Sequence, residues 1–469
     1  MGTTRQHITW LIGAEVLALL LVAGVTAVSY PVVQAAKMTV ALAVAYAVPR
    51  WAYGRCDHAT LAGHGVLLVA ALWLSVIAIS FVHHATLGCG ASFAMPQLYN
   101  DAANYYDWAL AHYDGSAVEP TVTFWGYPII ILALWHVLGV SIIWPVAANV
   151  MITLFTIVLT GKLASRVACV QHARVATLAM ALLAMMAFFM SQGAGMLKES
   201  WAYLAITLIA YGLVPQEVNR SKVTTRDSEW SIVHSALVFA LGCLLLAAIR
   251  AKYVNFLFIG IVMMAVVGKF RQWRYYVALF AITLVCWWLG MAMTDHYTVV
   301  QQVNNVTGEN GMATIFAPEG VYQRILGDYF HYPVWKKLLY LPLACGVQWI
   351  IPFPWLPSGD GLSLLSIAPR LRLGWYLLSG VVLYFYLFRS WRRGWLWAAW
   401  AWFPVVCYVG IAYMTAGTVS RYILAFQPWW MTLAAITLLI SCRKRSFRLF
   451  MLAYTIAIAT LLLTCYLAV

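Results

Sequence analysis

Three carboxylates, Asp101, Asp107 and Asp114, stand within fourteen positions of a chain in which only 9% of the residues are charged. Tyrosine and tryptophan side chains lie between them, in the segment NDAANYYDWALAHYDG. If this segment is helical, the spacing of seven places Asp107 and Asp114 on one face and Asp101 on another. A carboxylate in such a segment can act as the general base that takes the proton of an attacking hydroxyl group. The competing interpretation is a solvated loop whose aromatic residues mark a membrane interface.

The composition of the chain is typical of a membrane protein. Hydrophobic residues make up 64% of the 469 residues, there are 23 Trp and 26 Tyr, and the mean hydropathy is +0.81. Apolar runs long enough to cross a bilayer recur along the chain and predict an all-α polytopic membrane protein with about 13 transmembrane helices. The predicted spans are 9–30, 33–49, 63–83, 146–161, 175–193, 201–214, 233–250, 253–268, 274–293, 373–389, 396–416, 423–441 and 447–467.

The distribution of charge predicts how the spans are oriented. With the N-terminus inside, 19 of the 29 Lys and Arg residues fall in short loops on the inner side, as the positive-inside rule requires. On the outer side fall 10 of the 15 Asp and Glu residues. The net charge of +14 is therefore explained by topology, and no nucleic-acid partner is expected. The nine cysteines are scattered singly, mostly in apolar runs, and predict neither a disulfide framework nor a metal site.

Two long outer segments interrupt the regular alternation of spans and loops. The first, 84–145, contains the acidic segment and an apolar part from Gly126 to Val140 that is expected to form an interfacial helix. The second, 294–372, contains a polar stretch and a stretch rich in proline and aromatic residues. No internal repeat is present, so we interpret residues 1–469 as a single membrane domain.

The acidic segment and the motif that follows it resemble those of a known superfamily. The acidic motif reads Asp101-Ala-Ala-Asn-Tyr105-Tyr-Asp107-Trp-Ala109, and Gly126-Tyr127-Pro128 follows before the next helix. This arrangement is similar to that of the GT-C superfamily, polytopic glycosyltransferases that use polyprenyl-phosphate sugars. The lipid A aminoarabinose transferases and the protein O-mannosyltransferases belong to it. The chain departs from the pattern at Ala102, where the family usually has Glu or Ser, and it lacks the long outer soluble domain of the oligosaccharyltransferases.

Weaker matches follow in the same order along the chain. The segment 149–166 resembles the second conserved span of the superfamily, with its basic inner end. The pair Lys198-Glu199 resembles the outer carboxylate that often opens a later span, and Arg421-Tyr422 resembles the Arg-Tyr opening of a late span. Together these matches cover about half of the chain.

The resemblance implies a glycosyltransferase that moves a sugar or small glycan from a polyprenyl phosphate to an acceptor on the outer face, with inversion at the anomeric carbon. Asp101 is the expected general base and Asp107 the second catalytic candidate. Cations at the outer ends of spans would stabilise the leaving phosphate. The expected substrate-binding residues are Tyr105, Lys198, Glu199, Arg250, Lys252, Arg421 and Tyr422.

The same resemblance implies a bacterial inner membrane, an active site on the periplasmic face and a lipid, glycan or protein as acceptor. No cofactor is predicted, and the requirement for a divalent cation stays open. Two other functions also stay open. A flippase for lipid-linked sugars would need charges inside several spans, whereas an O-antigen polymerase or ligase would use the second outer segment, with Arg324, His331 and Arg370.

Overall fold

A computed structural model of the chain supports the predicted fold class. It describes residues 2–87, 89, 96–98, 100–116, 125–168, 171–214, 225–267, 273–292, 329, 332–350, 373–392, 394–415 and 420–467. Of these described residues 88% are helical and none is in a strand. The chain is thus an all-α polytopic membrane protein.

Sixteen α-helices are described, and we number them in chain order. They are α1 Gly2–Ser29, α2 Val32–Gly54, α3 Leu61–Thr86, α4 Asn100–Tyr113, α5 Gly126–Leu138, α6 Ile143–Val167, α7 His172–Ala184, α8 Ala187–Ala194, α9 Glu199–Gly212, α10 Thr225–Val267, α11 Trp273–Ala292, α12 Val334–Ile350, α13 Leu373–Phe388, α14 Trp395–Thr415, α15 Gln427–Ser441 and α16 Arg445–Leu467. A 3-10 segment, Ser420–Phe426, leads directly into α15.

Nine of the described helical stretches are long and apolar enough to cross a membrane. They coincide with nine of the thirteen predicted spans. A tenth predicted span, 175–193, is the bent pair α7 and α8, which meet at an angle of 72°. The other three correspond to α9, to Tyr253–Val267 of α10 and to α13, all of which are shorter. Whether these short helices cross the membrane decides the span count, so the number thirteen stays a prediction.

The helices differ in how deeply they lie within the bundle. In the most apolar stretch of α15 83% of the residues are buried, and in that of α6 72%. The corresponding values are 11% for α1 and 6% for α16. Since a helix in lipid satisfies its own backbone hydrogen bonds, α1 and α16 can expose apolar side chains to acyl chains. The central helices α6 and α15 pack on each other and on α7.

Polar side chains inside the central helix α6 are satisfied locally. The hydroxyl of Thr153 donates to the carbonyl of Asn149 at 2.8 Å, and that of Thr156 donates to Ile152 at 2.9 Å. This bond to the carbonyl one turn back lets a hydroxyl lie in an apolar interior. The side-chain amide of Asn149 does not bond to a carbonyl of its own helix, and its hydrogen-bond partners come from other elements.

Aromatic residues fill the interface between α12, α13, α14 and α15. Trp349 of α12 lies 4.9 Å from Trp375 of α13 and 5.7 Å from Trp430 of α15, measured between ring centroids. The Nε1 of Trp375 donates to the carbonyl of Trp349 at 2.9 Å, and the hydroxyl of Tyr408 donates to the carbonyl of Cys345. Large rings that also carry a donor can therefore fill the interior and satisfy helix-end carbonyls.

Candidate functional site

The acidic segment forms α4, and the helix separates its carboxylates as the spacing predicts. Ala102, Tyr105 and Ala109 lie on a buried face, because positions three and four apart share one side of a helix. Asp107 lies on the other side and is exposed, whereas Asp101 is half-buried in the first turn. The two catalytic candidates are thus in different environments, and only Asp101 lies beside the buried face.

The buried face of α4 packs on α5. The rings of Tyr105 and Tyr127 meet edge to face at 5.3 Å, and those of Tyr106 and Trp135 meet in the same way at 5.0 Å. Burial raises the pKa of Tyr106 to about 12, so its hydroxyl stays protonated at neutral pH. These contacts hold α4 against the bundle, and the Gly-Tyr-Pro motif of the sequence supplies Tyr127 to them.

Lys198 reaches the same place from a distant part of the chain. Its ammonium lies 5.2 Å from the centroid of the Tyr105 ring, within range of a cation–π contact. Asp101 precedes Tyr105 by one helical turn and shares its face, which puts their Cβ atoms about 5–6 Å apart. A half-buried ammonium therefore lies at the ring of this tyrosine, and a half-buried carboxylate lies one helical turn away. Tyr105 itself is buried, so its ring supports Lys198 and offers little surface to a substrate.

Asn149 of α6 holds the chain that leads into Lys198. Its Nδ2 lies 2.6 Å from the carbonyl oxygen of Gly195 and 2.7 Å from that of Leu197. The hydroxyl of Tyr127 is 2.9 Å from the same nitrogen, and Nε1 of Trp201 donates to Oδ1 at 2.8 Å. Non-helical backbone within a membrane bundle needs such partners for its carbonyls. The amide of Asn149 therefore fixes the break between α8 and α9.

Glu199 and Arg250 form a buried ion pair beside this break. The guanidinium donates to a carboxylate oxygen, and the two residues are 1% and 8% exposed. Arg250 departs from helical geometry, with φ −153° and ψ 68°, at the point where the sequence predicts a turn between two spans. Its guanidinium also lies 5.5 Å from the ring centroid of Tyr253. Because the charge of Arg250 is matched by Glu199, the main role of Arg250 is to hold α9 against α10, and binding a ligand is secondary.

The 3-10 segment Ser420–Phe426 packs on α9 at this end of the bundle. The ring of Phe426 stacks on that of Tyr253 at 6.5 Å, which brings the segment close to the break in α10. The backbone of Arg421 and Tyr422 belongs to this segment, but their side chains lie outside the described part of the chain, as does that of Lys252.

The structure thus brings together Tyr105, Lys198, Glu199 and Arg250, with Asp101 one turn away. It does not bring Asp107 into this group. Asp114, which follows the end of α4, is also exposed. Within the residues described, no cluster of three or more His, Cys, Asp or Glu side chains is placed to hold a metal ion.

A half-open cleft lies elsewhere, between α1, α2 and α3. Its volume is about 50 Å³, and Glu15 and Tyr46 are part of its lining. Glu15 accepts hydrogen bonds from Arg50 and from the hydroxyl of Tyr46, the latter at 2.7 Å. An ion pair within the first two spans accounts for an acid that would be costly alone in lipid.

Sequence reasoning missed the central role of Asn149. The sequence marks Asn149 only as part of a segment that resembles a conserved span, and Tyr127 only as part of a motif. A signal was nevertheless present, because a carboxamide within an otherwise apolar span must find partners for its hydrogen-bonding groups.

No model of a known protein family matches the chain, and no curated protein matches it either.

Proposed function

We propose that the chain is a membrane-embedded glycosyltransferase of the GT-C type. It would move a sugar or small glycan from a polyprenyl phosphate to an acceptor hydroxyl at the end of the bundle where α4 and the start of α9 meet. The observation that carries the proposal is the contact of Lys198 with the ring of Tyr105, one helical turn from the half-buried Asp101. A base and a cation are the two groups that this transfer needs.

In the proposed reaction Asp101 accepts the proton of the acceptor hydroxyl while its oxygen attacks the anomeric carbon. The bond from that carbon to the phosphate oxygen breaks, and the polyprenyl phosphate leaves with the electron pair. Lys198 would offset the charge that develops on the departing phosphate. Attack opposite to the leaving group inverts the anomeric centre. The membrane would be the bacterial inner membrane, and the reacting end would face the periplasm.

The arrangement also assigns supporting roles. Tyr105 orients Lys198 through its ring, and Asn149 fixes the backbone that carries Lys198. The ion pair of Glu199 and Arg250 sets the start of α9 against α10. A site built on packed helices can hold a base and a cation in register, which is the main requirement for a transfer with no covalent intermediate.

The test compares cell-envelope glycans, by mass spectrometry, between cells with the wild-type chain and cells that carry only Asp101→Asn. We expect Asp101→Asn to abolish one glycan modification and to let its lipid-linked donor accumulate, because an amide cannot accept the proton. Asp114→Asn is the matched control, since Asp114 is exposed beyond the end of α4. An unchanged glycan profile in folded Asp101→Asn would remove Asp101 as the base and leave Asp107 as the next candidate.

One observation favours a second function, a flippase for lipid-linked sugars. The ion pair of Glu15 with Arg50 lies within the first two spans, beside a cleft whose other lining is mostly apolar. A charged group next to an apolar cleft suits a lipid with a polar head. Purified protein in vesicles separates the two functions. A flippase would move a labelled polyprenyl-phosphate sugar across the bilayer without consuming it, whereas a transferase would consume it only when acceptor is present.

A further inference from the structure

A second polar cluster lies at the opposite end of α6 and α9, and the proposed transfer does not use it. Lys162 and Arg166 are one turn apart on α6, about 20 Å along the helix from Asn149. Both face the ring of Tyr211 near the end of α9, with the ammonium 5.5 Å and the guanidinium carbon 4.5 Å from the ring centroid. One aromatic ring therefore gathers two cations at a single point of the bundle surface.

Neither cation has a carboxylate partner in the part of the chain that the structure describes, where the ion pairs are Arg50 with Glu15 and Arg250 with Glu199. Arg166 instead donates to the hydroxyl of Ser235 on α10 at 2.9 Å. That bond directs the guanidinium without neutralising it. Asp57, which precedes His58, is exposed and forms an ion pair with neither cation.

His58 supplies an independent observation at the same place. The residue is only 5% exposed, and its Nε2 has no hydrogen-bond partner among the described residues. This nitrogen points at α6, because it lies 3.5 Å from where a Cβ at Gly161 would stand, one residue before Lys162. Burial lowers the pKa of His58 and the nearby ammonium of Lys162 lowers it further, while the carboxylate of Asp57 opposes both. The unpartnered ring nitrogen lies near the ammonium of Lys162, which shares the Tyr211 ring with Arg166. A buried polar atom without a partner next to a cation leaves a place for an anion at Lys162.

We propose that Lys162, Arg166 and His58 form a binding site for the phosphate group of an anionic lipid headgroup, at the membrane face opposite Asp101. Arg166 is half-buried and offers the planar fork that suits phosphate oxygens. Lys162 is exposed and can reach out along the headgroup region. Free inorganic phosphate shares this chemistry, so an experiment has to distinguish the two sources.

A bound phosphate would add a charged link between elements that the Arg166–Ser235 hydrogen bond and the two cation–π contacts already join. Lys162 and Arg166 belong to α6, Tyr211 to α9 and Ser235 to α10, while His58 lies in the turn before α3. The anion would thus join the turn after α2 to three helices of the bundle. This inference does not depend on the proposed transferase activity, because it concerns the other end of the same helices.

The experiment uses the full chain, purified in an uncharged detergent, with four probes: phosphatidylglycerol, phosphatidylcholine, oleate as an anionic lipid without phosphate, and inorganic phosphate. Lipid retention by native mass spectrometry and the shift in thermal unfolding temperature are the readouts. We expect phosphatidylglycerol to bind and stabilise the wild-type chain more than phosphatidylcholine or oleate do. Stabilisation by inorganic phosphate at a similar concentration would show that the site takes free phosphate as well.

The variant Lys162→Gln/Arg166→Gln tests the residues, and Lys444→Gln/Arg448→Gln on exposed positions near the start of α16 is its matched control. Each lost cation should weaken lipid binding about fivefold, so the double variant should lose at least about tenfold. The control should stay close to the wild type. If Arg166→Gln does not fold, Lys162→Gln alone, at an exposed position, still tests the site.

His58→Leu completes the series, because it keeps an apolar volume and removes the ring nitrogens. It should weaken binding at least about tenfold, as expected for one hydrogen bond to a charged group. The proposal is overturned if the double variant binds phosphatidylglycerol as tightly as the control does, or if oleate binds as well as phosphatidylglycerol.

Discussion

The carboxylate of Glu199 and the guanidinium of Arg250 form an ion pair that joins the first turn of α9 to the break in α10. The two residues are 51 positions apart in sequence, and both are buried. Taking two charges out of water is costly, and removing one partner leaves the other charge buried and unmatched. Removing one partner is therefore expected to destabilise the protein more than replacing both with apolar residues. A double-mutant cycle can measure this difference.

We expect Glu199→Met and Arg250→Met each to destabilise the folded protein by about 3–5 kcal/mol, because each removes the group that matches the other buried charge. The double variant Glu199→Met/Arg250→Met should lose much less than the sum of the two. Thermal unfolding in detergent, followed by intrinsic fluorescence, provides the measurement. Additive losses would show that the two charges are not coupled.

The next prediction concerns Asn149, whose amide fixes the backbone before Lys198. Asn149→Leu keeps the volume but strips partners from the carbonyls of Gly195 and Leu197, so we expect a loss of about 3 kcal/mol. Thr156→Val in the same helix is the control, because that hydroxyl bonds only to the carbonyl of Ile152. It should cost under about 1 kcal/mol. Equal losses in the two variants would contradict the role of Asn149.

Close packing of α5 on α10 leads to a third prediction. A Cβ at Gly126 would lie 2.6 Å from the carbonyl carbon of Ala248, which is backbone and cannot move aside cheaply. Gly126→Ala should therefore push α5 from α10 and cost about 1–3 kcal/mol. Gly65→Ala on α3 meets nothing within 4 Å and should be neutral or slightly stabilising. Comparable unfolding temperatures for both variants would show that α5 does not pack this closely.

How far the sequence predicts this protein depends on the kind of interaction. Helix positions follow from apolar runs, because a segment in lipid must form its backbone hydrogen bonds within itself. The break at Arg250 falls where one predicted span ends and the next begins. The 72° bend between α7 and α8 has no such signal, since Met185 and Met186 are as apolar as their neighbours. Hydropathy therefore predicts one straight span there.

The sequence predicts which residues belong to the candidate site, but it does not predict which of them contact each other. Charged residues at span ends, such as Glu199 and Arg250, stand out in an apolar chain. Their pairing depends on how α9 packs on α10, and no local pattern encodes it. The separation of Asp101 from Asp107 follows from helical spacing alone. The contact of Lys198 with Tyr105 depends on how the start of α9 packs near α4, and the sequence does not show this packing.

Topology gives a fourth prediction, because the proposed site must face the donor. A reporter fused after Gly115 should be active in the periplasm, and one fused after Lys222 should be active in the cytoplasm. The physical reason is the distribution of 19 basic residues to the inner side and 10 to the outer side. Reporter activities normalised to expression provide the measurement. The reverse pattern would put α4 on the wrong side of the membrane and end the transferase proposal.

The last prediction concerns Arg421, which the sequence places at the opening of a late span. Its backbone lies in the 3-10 segment that packs on α9, so the residue belongs to the same end of the bundle as Lys198. A fixed cation there would stabilise the phosphate as it leaves, with no need to reorganise.

We expect Arg421→Ala to lower turnover by about 2–4 kcal/mol of transition-state stabilisation, as for the loss of one preorganised charge donor. Arg421→Lys should restore only part of the activity, because lysine keeps the charge but lacks the planar, two-pronged donor geometry. Arg448→Ala, at an exposed position on α16, controls for loss of positive charge alone. The structural alternative is that Arg421 merely anchors the span in anionic headgroups. In that case Arg421→Ala would lower the yield of folded protein and leave turnover per folded molecule unchanged, so activity with a lipid-linked donor in detergent, normalised to folded protein, decides between the two.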